Sequence, residues 1–312
     1  MHNDKTEIDL TVVIPNYNNA RSIGQTLESL LQQNNLSGFD YEIIVVDNNS
    51  TDDSIKIVEQ YMPLFQGHLR WVKEAKQGTG AARDKGIQEA RGRYIAFTDS
   101  DCRMDLLWMS ELVRAFREYQ ADAVVGKIVL ATEIPSDIWY PDWFVKQRFA
   151  HVDYGDQPIE LGADQDLVGA NMACRREVFE KLGCFQTNPT FFPCEDTEFS
   201  RRISRHGIKK VYQPTAKILH HFEVDRLNEK NMFKQAFRWG RAVILIEPTG
   251  LSIARHLLYV IKQMVMQSIQ YMGAHFRKDY KTAFFTKCKL YTNWGRCVQL
   301  LDKNKVKYDY GP

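Results

Sequence analysis

The stretch LTVVIPNYNNARSIGQTLESLLQQN, residues 10–34, contains a strand, a loop and a helix in that order. Its first residues are mainly β-branched and apolar, and a Pro-Asn pair ends this run. Further on, Ile23, Leu27 and Leu30 recur at spacings of three and four, which indicates the apolar face of a helix. The same scheme returns in YEIIVVDNNSTDDSIKIVEQYM, residues 41–62. These two repeats predict alternating strands and helices.

The alternation continues through the next forty or so residues. LRWVKEA (69–75) predicts a third strand, GTGAARDKGIQEA (78–90) a third helix and GRYIAFTDSDC (92–102) a fourth strand, while the second helix is predicted to begin near Thr51. Apolar strands separated by helices are typical of a parallel sheet covered on both faces. We therefore expect an α/β fold with a Rossmann-like, mostly parallel sheet flanked by helices.

The composition is that of a globular protein. Of the 312 residues, 44% are apolar and 26% charged, which excludes the disordered and fibrous classes. Charge is unevenly distributed, because residues 251–312 hold eleven Lys and Arg against three Asp and Glu. The tail therefore has a net charge of +8, and residues 1–250 have a net charge of −6.

Two sequence features predict a cytoplasmic protein. The N-terminus lacks a basic and apolar signal pattern, and no uninterrupted apolar run reaches the roughly 18 residues of a membrane span. The six cysteines form no CxxC pair, so we expect reduced thiols rather than a zinc site or a disulfide framework.

Polar residues follow the first, second and fourth predicted strands, at residues 16–18, 47–50 and 99–101. The carboxyl ends of parallel strands share one edge, where ligands of open α/β sheets bind. Neither a G-x-G-x-x-G fingerprint nor a Walker A loop is present, so a dinucleotide is disfavoured. Asp99 and Asp101 form a D-x-D pair whose oxygen atoms suit Mg²⁺ or Mn²⁺ shared with a diphosphate. The alternative is a solvated acidic pair.

An ordered set of motifs resembles the family 2 glycosyltransferases with the GT-A fold. The motifs are VVIPNYNNARSIGQTLESLL, EIIVVDNNSTDDS, QGTGAARDKGIQEARGRYIAFTDSDC, GANMACRREVFEKLGCF and CEDTEFSRRISRHG. The resemblance covers roughly residues 9–245 and implies a catalytic domain at 1–245, followed by a basic, mainly helical region at 246–312. It also implies inverting transfer of a sugar from a nucleoside diphosphate donor to a hydroxyl acceptor, with no nucleic acid partner.

The resemblance assigns the donor site residue by residue. It places the nucleobase against the first loop and beside the carboxylate that ends the second strand. An aromatic face and a carboxylate suit a uracil-type base, so we expect a UDP-sugar. The donor residues implied in this way are Pro15, Tyr17, Asp47, Asn49, Arg83, Asp99, Ser100 and Asp101. For Arg83 the alternative is an ordinary solvated helix arginine.

The same resemblance implies that Asp101, with Asp99, holds a Mn²⁺ or Mg²⁺ ion that offsets charge on the departing diphosphate. The family often adds a histidine from the region ILHHFEV, which offers His220 and His221. Imidazole is a good ligand for such ions. The sequence alone leaves both histidines open, and we prefer His221.

The acidic pair Glu195 and Asp196 is the predicted catalytic centre. The resemblance makes Asp196 the general base that takes the acceptor proton, with Glu195 beside it. Alternatively, both acids complement the dipole of the helix that they begin. Cys194 stands where the family usually has glycine.

The acceptor side is predicted from two motifs and an aromatic segment. Asn171 belongs to the family's G-A-N motif, and Arg238 and Trp239 belong to a Q-x-x-R-W pattern. The alternative for Arg238 and Trp239 is a solvated arginine beside a tryptophan of the core. Residues 134–158 are rich in aromatic side chains and predict a loop or lid. The acceptor is expected to be a saccharide or a lipid-linked saccharide of a cell-surface polysaccharide.

The tail contains an amphipathic, cationic helix, with apolar side chains recurring between residues 253 and 269. Such a helix can lie at the inner face of an anionic membrane, dock on its own catalytic domain or form a dimer. Two other functions are the alternatives to a glycosyltransferase. A nucleotidyltransferase is expected to carry a Gly-rich, basic first loop, which NYNNARS is not. A non-catalytic scaffold is expected to have lost Asp101 or Asp196, and both are present.

Overall fold

The computed structural model describes residues 8–35, 38–136, 138–187, 194–246 and 252–302. Contacts divide the chain into two compact units. The first comprises the described residues up to Gln186 together with Phe199–Val224, and the second comprises the described residues of Thr187–Glu198 and those from Asp225 onwards. Residues 303–312, part of the predicted basic tail, lie outside the described residues.

Nine strands of the described chain form one sheet in the first unit. They are β1 (Leu10–Asn16), β2 (Tyr41–Asp47), β3 (Leu69–Lys73), β4 (Tyr94–Thr98), β5 (Cys102–Met104), β6 (Ala123–Leu130), β7 (Ile159–Glu160), β8 (Asn171–Arg175) and β9 (Lys210–His220). Their order is β3-β2-β1-β4-β8-β6-β9-β5, with β7 also pairing with β9.

The four strands predicted from the sequence form the parallel half of this sheet. Beyond them, β8 is antiparallel to both β4 and β6, and β5 and β7 are antiparallel to β9. The α/β fold is thereby confirmed, with a sheet that is mixed rather than purely parallel. Val12, Ile44 and Phe97, from β1, β2 and β4, are fully buried, as expected for strands covered on both faces.

Helices flank the sheet and also build the second unit. They are α1 (Ile23–Leu31), α2 (Ser54–Tyr61), α3 (Thr79–Glu89), α4 (Trp108–Glu118), α5 (Asp142–Arg148), α6 (Arg176–Leu182), α7 (Glu195–Arg205), α8 (Glu229–Ile246), α9 (Ile253–Phe276) and α10 (Tyr280–Leu301). Helix α5 lies within the aromatic segment that the sequence predicts as a loop or lid.

Helix α2 begins at Ser54, three residues later than the sequence predicts. The preceding residues are held in the loop instead. The backbone N–H of Thr51 donates to Asn18 Oδ1 at 2.7 Å, and the carboxylate of Asp52 accepts from the backbone N–H of Ala20 at 2.8 Å. These bonds connect the loop after β2 to the loop after β1.

The predicted fourth strand, residues 92–102, is divided in two. β4 ends at Thr98, and β5 begins at Cys102 because that segment pairs with β9 instead of continuing along β1. The turn between them, residues 99–101, carries the D-x-D acids. The sheet therefore places both carboxylates at the carboxyl end of β4.

In the second unit, α10 packs along both α8 and α9. Two glycines allow the backbones of α8 and α10 to approach closely. A Cβ atom at Gly240 would lie 1.9 Å from the carbonyl oxygen of Thr292, and one at Gly295 would lie 2.1 Å from that of Phe237. No helix among the described residues is both long enough and apolar enough to cross a bilayer.

Candidate active site

The loops after β1 and β2 form one connected rim. Asn16 and Asp47 are register partners at the ends of these two parallel strands. Asn16 Nδ2 donates to Ser50 Oγ at 3.2 Å, and the backbone N–H of Asn18 donates to the same oxygen at 3.1 Å. The sheet thus brings the first two predicted polar segments together, as the sequence predicts.

The residues predicted to meet the nucleobase all lie on this rim. The Tyr17 side chain is 53% exposed, Pro15 is half-buried, and Asp47 is buried with one oxygen accepting from the backbone N–H of Ser50 at 3.1 Å. Asn49 has a left-handed backbone with φ of 66°, and its amide donates to the carbonyl oxygen of Ala75 at 2.8 Å. The Asn49 side chain therefore supports the neighbouring loop.

Asn48 is not among the predicted site residues, and its side chain holds the loop that leads into α3. Its Nδ2 donates to the carbonyl oxygens of Glu74 and Lys76 at 3.0 and 2.8 Å, and its Oδ1 accepts from the backbone N–H of Gly78 at 2.7 Å. Its only signal in the sequence is an amide side chain directly after a strand.

Ser100, between the two D-x-D acids, attaches the acidic turn to α1 and the loop before it. Its hydroxyl accepts from Asn19 Nδ2 at 2.7 Å, and its carbonyl oxygen accepts from the Thr26 hydroxyl at 2.9 Å. Ser100 is buried, whereas the side chains of Asp99 and Asp101 are 33% and 20% exposed. The two carboxylates therefore remain accessible on a turn that the hydrogen bonds of Ser100 hold in place.

Asp101, Cys102 and His220 form a cluster whose potential ligand atoms all lie within 4.8 Å of one another. His220 Nε2 is 3.5 Å from Asp101 Oδ1, and His220 Nδ1 is 3.0 Å from the carbonyl oxygen of Phe149. A neutral imidazole that donates its Nδ1–H to that carbonyl directs the Nε2 lone pair towards Asp101. This arrangement is typical of histidines that bind metals. The residues present therefore fit a divalent cation at this position.

Opposing effects act on the pKa of His220. Burial disfavours the charged imidazole, but the hydrogen bond to Asp101, the negative charges of Asp101 and Asp99, and the Phe149 carbonyl outweigh it and raise the pKa. The local field therefore attracts positive charge, whether a proton or a metal ion.

His221, the histidine preferred from the sequence, occupies a different position. Its backbone N–H donates to the carbonyl oxygen of Asp101 at 3.0 Å, while burial and then the nearby Arg103 lower the pKa of its imidazole. Successive residues of an extended chain point to opposite sides, so only one of the two rings can face the carboxylate. The geometry favours His220, and the preference for His221 is corrected accordingly.

Arg83 is a buried member of this site, not a solvated helix arginine. Its side chain is 5% exposed, its Nη2 is 3.2 Å from Asp99 Oδ1, and its guanidinium lies over the Phe185 ring at 5.6 Å from the centroid. Gly169 makes room for the guanidinium, since a Cβ atom there would lie 2.3 Å from Nη2. Phe185 and Gly169, from two loops of the first unit, thus position Arg83 against Asp99.

Asp84 supports the Arg83 guanidinium indirectly, through Phe185. One of its carboxylate oxygens accepts from the backbone N–H of Phe185 at 2.8 Å, which fixes the residue whose ring lies under Arg83. Burial raises the pKa of Asp84 to about 7, although that hydrogen bond and the charges of Lys76 and Arg202 act in the opposite direction. Nothing in the sequence indicated the roles of Phe149, Phe185 or Asp84.

The structure contradicts the predicted role of Asn171 in contacting the substrate. The residue is fully buried, and its Oδ1 accepts from Trp108 Nε1 at 2.8 Å. Its Nδ2 donates to the carbonyl oxygens of Lys127 and Ala216 at 3.1 and 2.8 Å. Both amide protons are used inside the protein, so Asn171 ties strands together instead of binding sugar.

Glu195 and Asp196 belong to the second unit and form the first turn of α7. Glu195 is buried, whereas Asp196 is half-buried and accepts from the backbone N–H of Thr197 at 2.8 Å. Both acids therefore complement the positive end of the helix dipole. This position is equally compatible with the predicted role of Asp196 as a base.

The Q-x-x-R-W residues lie on α8 in the same unit. Trp239 is partly buried and packs against a small buried cluster formed by Cys194, Ala242 and Ile246, which gives part of its ring a structural contact. Cys194 belongs to that cluster, which gives the cysteine in the usual glycine position a packing role. Arg238 is half-buried.

Parallel strands whose carboxyl ends share an acid-bearing rim define an α/β protein with a Rossmann-like sheet. Its family is shown by the sequence profile of Glycosyl transferase family 2, which matches residues 11–183. This match covers more than half of the chain, and the chain therefore belongs to Glycosyl transferase family 2.

Two named relatives are similar in sequence. Glycosyltransferase AglE of Haloferax volcanii is 31% identical over 204 residues, which are 65% of this chain and 64% of the relative. The poly(ribitol-phosphate) beta-glucosyltransferase of Bacillus spizizenii is 37% identical over 123 residues, which are 38% of this chain and 19% of the relative. The matched segments thus span less than two thirds of each relative's length.

Solved structures share the fold at low sequence identity. The mannosyltransferase PcManGT from Pyrobaculum calidifontis, in complex with GDP-Man and Mn²⁺, has a TM-score of 0.63 at 18% identity, over 96% of this chain and 89% of that one. TarS 1-349 of S. aureus in complex with UDP has a TM-score of 0.56 at 15% identity, over 92% and 89%. These similarities confirm the GT-A type of fold.

Proposed function

We propose that the protein is an inverting, metal-dependent glycosyltransferase that moves a sugar from a nucleoside diphosphate donor to a hydroxyl acceptor. The observation that carries the proposal is the environment of the D-x-D turn. Asp101 faces the anchored imidazole of His220, and Asp99 faces the buried guanidinium of Arg83. Carboxylates, an imidazole and a fixed cation at one sheet edge suit a diphosphate with a divalent cation.

On the donor side, Tyr17 offers an exposed ring for stacking on the nucleobase, and Asp47 offers a carboxylate to accept from a base N–H. Pro15 and Asn49 shape the loops that carry these two groups. We propose uridine as the base, on the resemblance and on this pairing of ring and carboxylate. The similarity to one structure with UDP and another with GDP-Man makes guanosine the competing outcome.

In the proposed reaction Asp101 and His220 hold the metal, and Asp99 contacts the donor while Arg83 keeps its carboxylate in place. A bound Mn²⁺ or Mg²⁺ supplies electrostatic stabilisation of the negative charge that develops on the departing diphosphate. Ser100 contributes by fixing the turn, because its hydroxyl and carbonyl oxygens are tied to Asn19 and Thr26.

On the acceptor side, we propose that Asp196 removes the proton of the attacking hydroxyl, with Glu195 as its neighbour at the start of α7. Arg238 and Trp239 of α8 are the proposed acceptor contacts. The acceptor class is a saccharide or a lipid-linked saccharide of a cell-surface polysaccharide. Residues 1–245 are the proposed catalytic region, and the basic residues 246–312 are the proposed contact with a membrane at its cytoplasmic face.

Calorimetric titration with UDP, GDP, CDP and TDP, with Mn²⁺ and with a chelator, tests the donor half. We expect metal-dependent binding of UDP. Asp101→Asn should lose the metal-dependent part of that binding, whereas Asp196→Asn should bind donor normally. Glu118→Gln, which removes an exposed acid at the end of α4, is the matched control and should behave as the parent protein.

Transfer assays with the same variants test the chemical step. Asp196→Asn should lower the transfer rate by at least about a hundredfold, since a positioned base contributes about 10²–10⁴ to such reactions. Equal donor affinity in Asp101→Asn and the parent with Mn²⁺ present would contradict the metal role. If none of the four nucleoside diphosphates binds, the proposed donor site is refuted and a non-catalytic scaffold is favoured.

A further inference from the structure

Helix α9 carries a continuous apolar stripe on its outer surface. We call these six residues the outer stripe: Leu258, Ile261, Val265, Ile269, Met272 and Phe276. Their exposed fractions range from 49% to 94%. Their spacing of three or four residues keeps them on one side of the helix over about 27 Å.

The opposite side of α9 packs against α10, and polar residues take part in that contact. His256 is buried, and Gln267 Oε1 accepts from Nδ2 of the buried Asn293 at 3.0 Å. A helix on the surface of a water-soluble protein usually buries its apolar side and exposes its polar side. Helix α9 places large apolar side chains outward, and a contiguous exposed apolar patch of this size marks an interaction surface.

The charges around the outer stripe have a single sign. Helix α9 contains no Asp or Glu, and Arg255 and Lys262 are exposed one turn before and one turn after Leu258. Residues 252–301 contain eight Lys and Arg and one acidic residue, Asp279. Any surface that covers the outer stripe therefore also meets a positive field.

This field decides between two possible occupants. A second copy that packed α9 against α9 would add its own Arg255 and Lys262 to the interface, and α9 has no acid to compensate these like charges. An anionic lipid surface supplies the opposite charge and also accepts apolar side chains at the boundary between headgroups and acyl chains. Arginine and lysine side chains extend easily from such a boundary to lipid phosphates.

We propose that α9 lies in the plane of an anionic phospholipid surface, with the outer stripe inserted below the headgroups and Arg255 and Lys262 at the phosphates. The inference gives the proposed membrane contact a defined surface and an orientation. It requires neither the donor nor the metal, because the residues involved are outside the proposed donor site. An enzyme held in this way would meet a lipid-linked acceptor at the surface of the bilayer.

Sedimentation of the full chain with phospholipid vesicles tests the proposal. We expect binding to phosphatidylcholine vesicles that contain phosphatidylglycerol, weak binding to phosphatidylcholine alone, and release by high salt. The triple variant Leu258→Ser, Ile269→Ser, Phe276→Ser should lower the partition coefficient by at least about tenfold. Leu31→Ser, Leu64→Ser, Leu106→Ser is the matched control, because it removes three exposed leucines from the first unit and should bind as the parent does.

Circular dichroism and nucleotide titration check that the triple variant remains folded. Absence of parent binding to the phosphatidylglycerol vesicles at low salt overturns the proposal, as does equal binding by the triple variant and the parent. A dimer that the triple variant converts to a monomer, without vesicle binding, assigns the outer stripe to a second copy and also overturns it. Vesicle binding without any nucleotide binding sustains this inference and refutes the proposed donor site alone.

Discussion

Replacing Gly169 with alanine tests how firmly the protein holds Arg83 against Asp99. The new Cβ atom would lie 2.3, 2.4 and 2.7 Å from Nη2, Cζ and Nη1 of Arg83, whereas ordinary contacts begin near 3.4 Å. The backbone of Gly169 is outside the left-handed region, so alanine adds no backbone strain. In the folded state the effect of the substitution therefore falls on the guanidinium of Arg83.

The guanidinium must retreat by about 1 Å to relieve these contacts. Its 3.2 Å bond to Asp99 and its position over the Phe185 ring are then both lost or misaligned. Overpacking in a dense interior costs about 1–3 kcal/mol. Because the group that moves is the end of a flexible side chain, we expect about 1–2 kcal/mol, which lowers the melting temperature by about 2–8 °C.

Donor binding should suffer as well, because the same movement releases Asp99. We expect the affinity for the preferred nucleoside diphosphate to fall by about tenfold, the equivalent of about 1.4 kcal/mol. Thermal unfolding and calorimetric titration measure the two effects. Gly162→Ala is the matched control, since its Cβ atom would meet only Gln165 Oε1 at an ordinary 3.7 Å. Both variants lose the same glycine flexibility in the unfolded chain.

A double-mutant cycle decides whether Arg83 is the cause. In an Arg83→Ala background the contact is gone, so Gly169→Ala should no longer lower stability or donor affinity. If Gly169→Ala leaves the melting temperature and affinity of the parent unchanged, or acts equally in both backgrounds, the interpretation of Gly169 as the space for Arg83 is refuted.

Three further predictions concern single residues. His220→Ala should weaken Mn²⁺-dependent donor binding by about tenfold or more, and His221→Ala should have little effect; calorimetry giving the reverse order would restore His221. Asn171→Leu should lower the free energy of unfolding by about 3 kcal/mol in urea, because two buried carbonyls and the Trp108 N–H lose their partner, and an unchanged midpoint would contradict this. Asp84→Asn should raise the melting temperature at pH 8 but not at pH 4. Burial raises the pKa of Asp84 to about 7 in the folded protein, against an ordinary 3.8. Between these values the carboxyl group ionises in the unfolded chain but stays neutral in the folded protein, so the parent protein loses stability as the pH rises. A variant that is no more stable than the parent at pH 8 would argue against a raised pKa of Asp84 in the folded protein.

Local sequence patterns were enough to predict the parallel half of the sheet and the edge at which the candidate site lies. Apolar runs such as VVI and IIVV are long enough for a strand buried on both faces, and the helical spacing between them requires crossover connections. Once strands β1, β2 and β4 are parallel, their polar ends must share an edge. The rim at Asn16, Asp47 and Asp99 therefore follows from local periodicity, and the motif order was enough to indicate the family.

Which side chains meet each other at that edge depends on long-range contacts in the folded chain. The Nδ1 of His220 finds the carbonyl of Phe149, 71 residues away, and this contact sets the imidazole beside Asp101. Arg83 and Gly169 are likewise joined only by packing, and Asn171 is buried because β8 enters the sheet between β4 and β6. A pattern of local periods records which face of an element is apolar. It does not show which distant atom completes a hydrogen bond, because that depends on strand order and register. A shift of one residue in register would turn a side chain to the other face of the sheet.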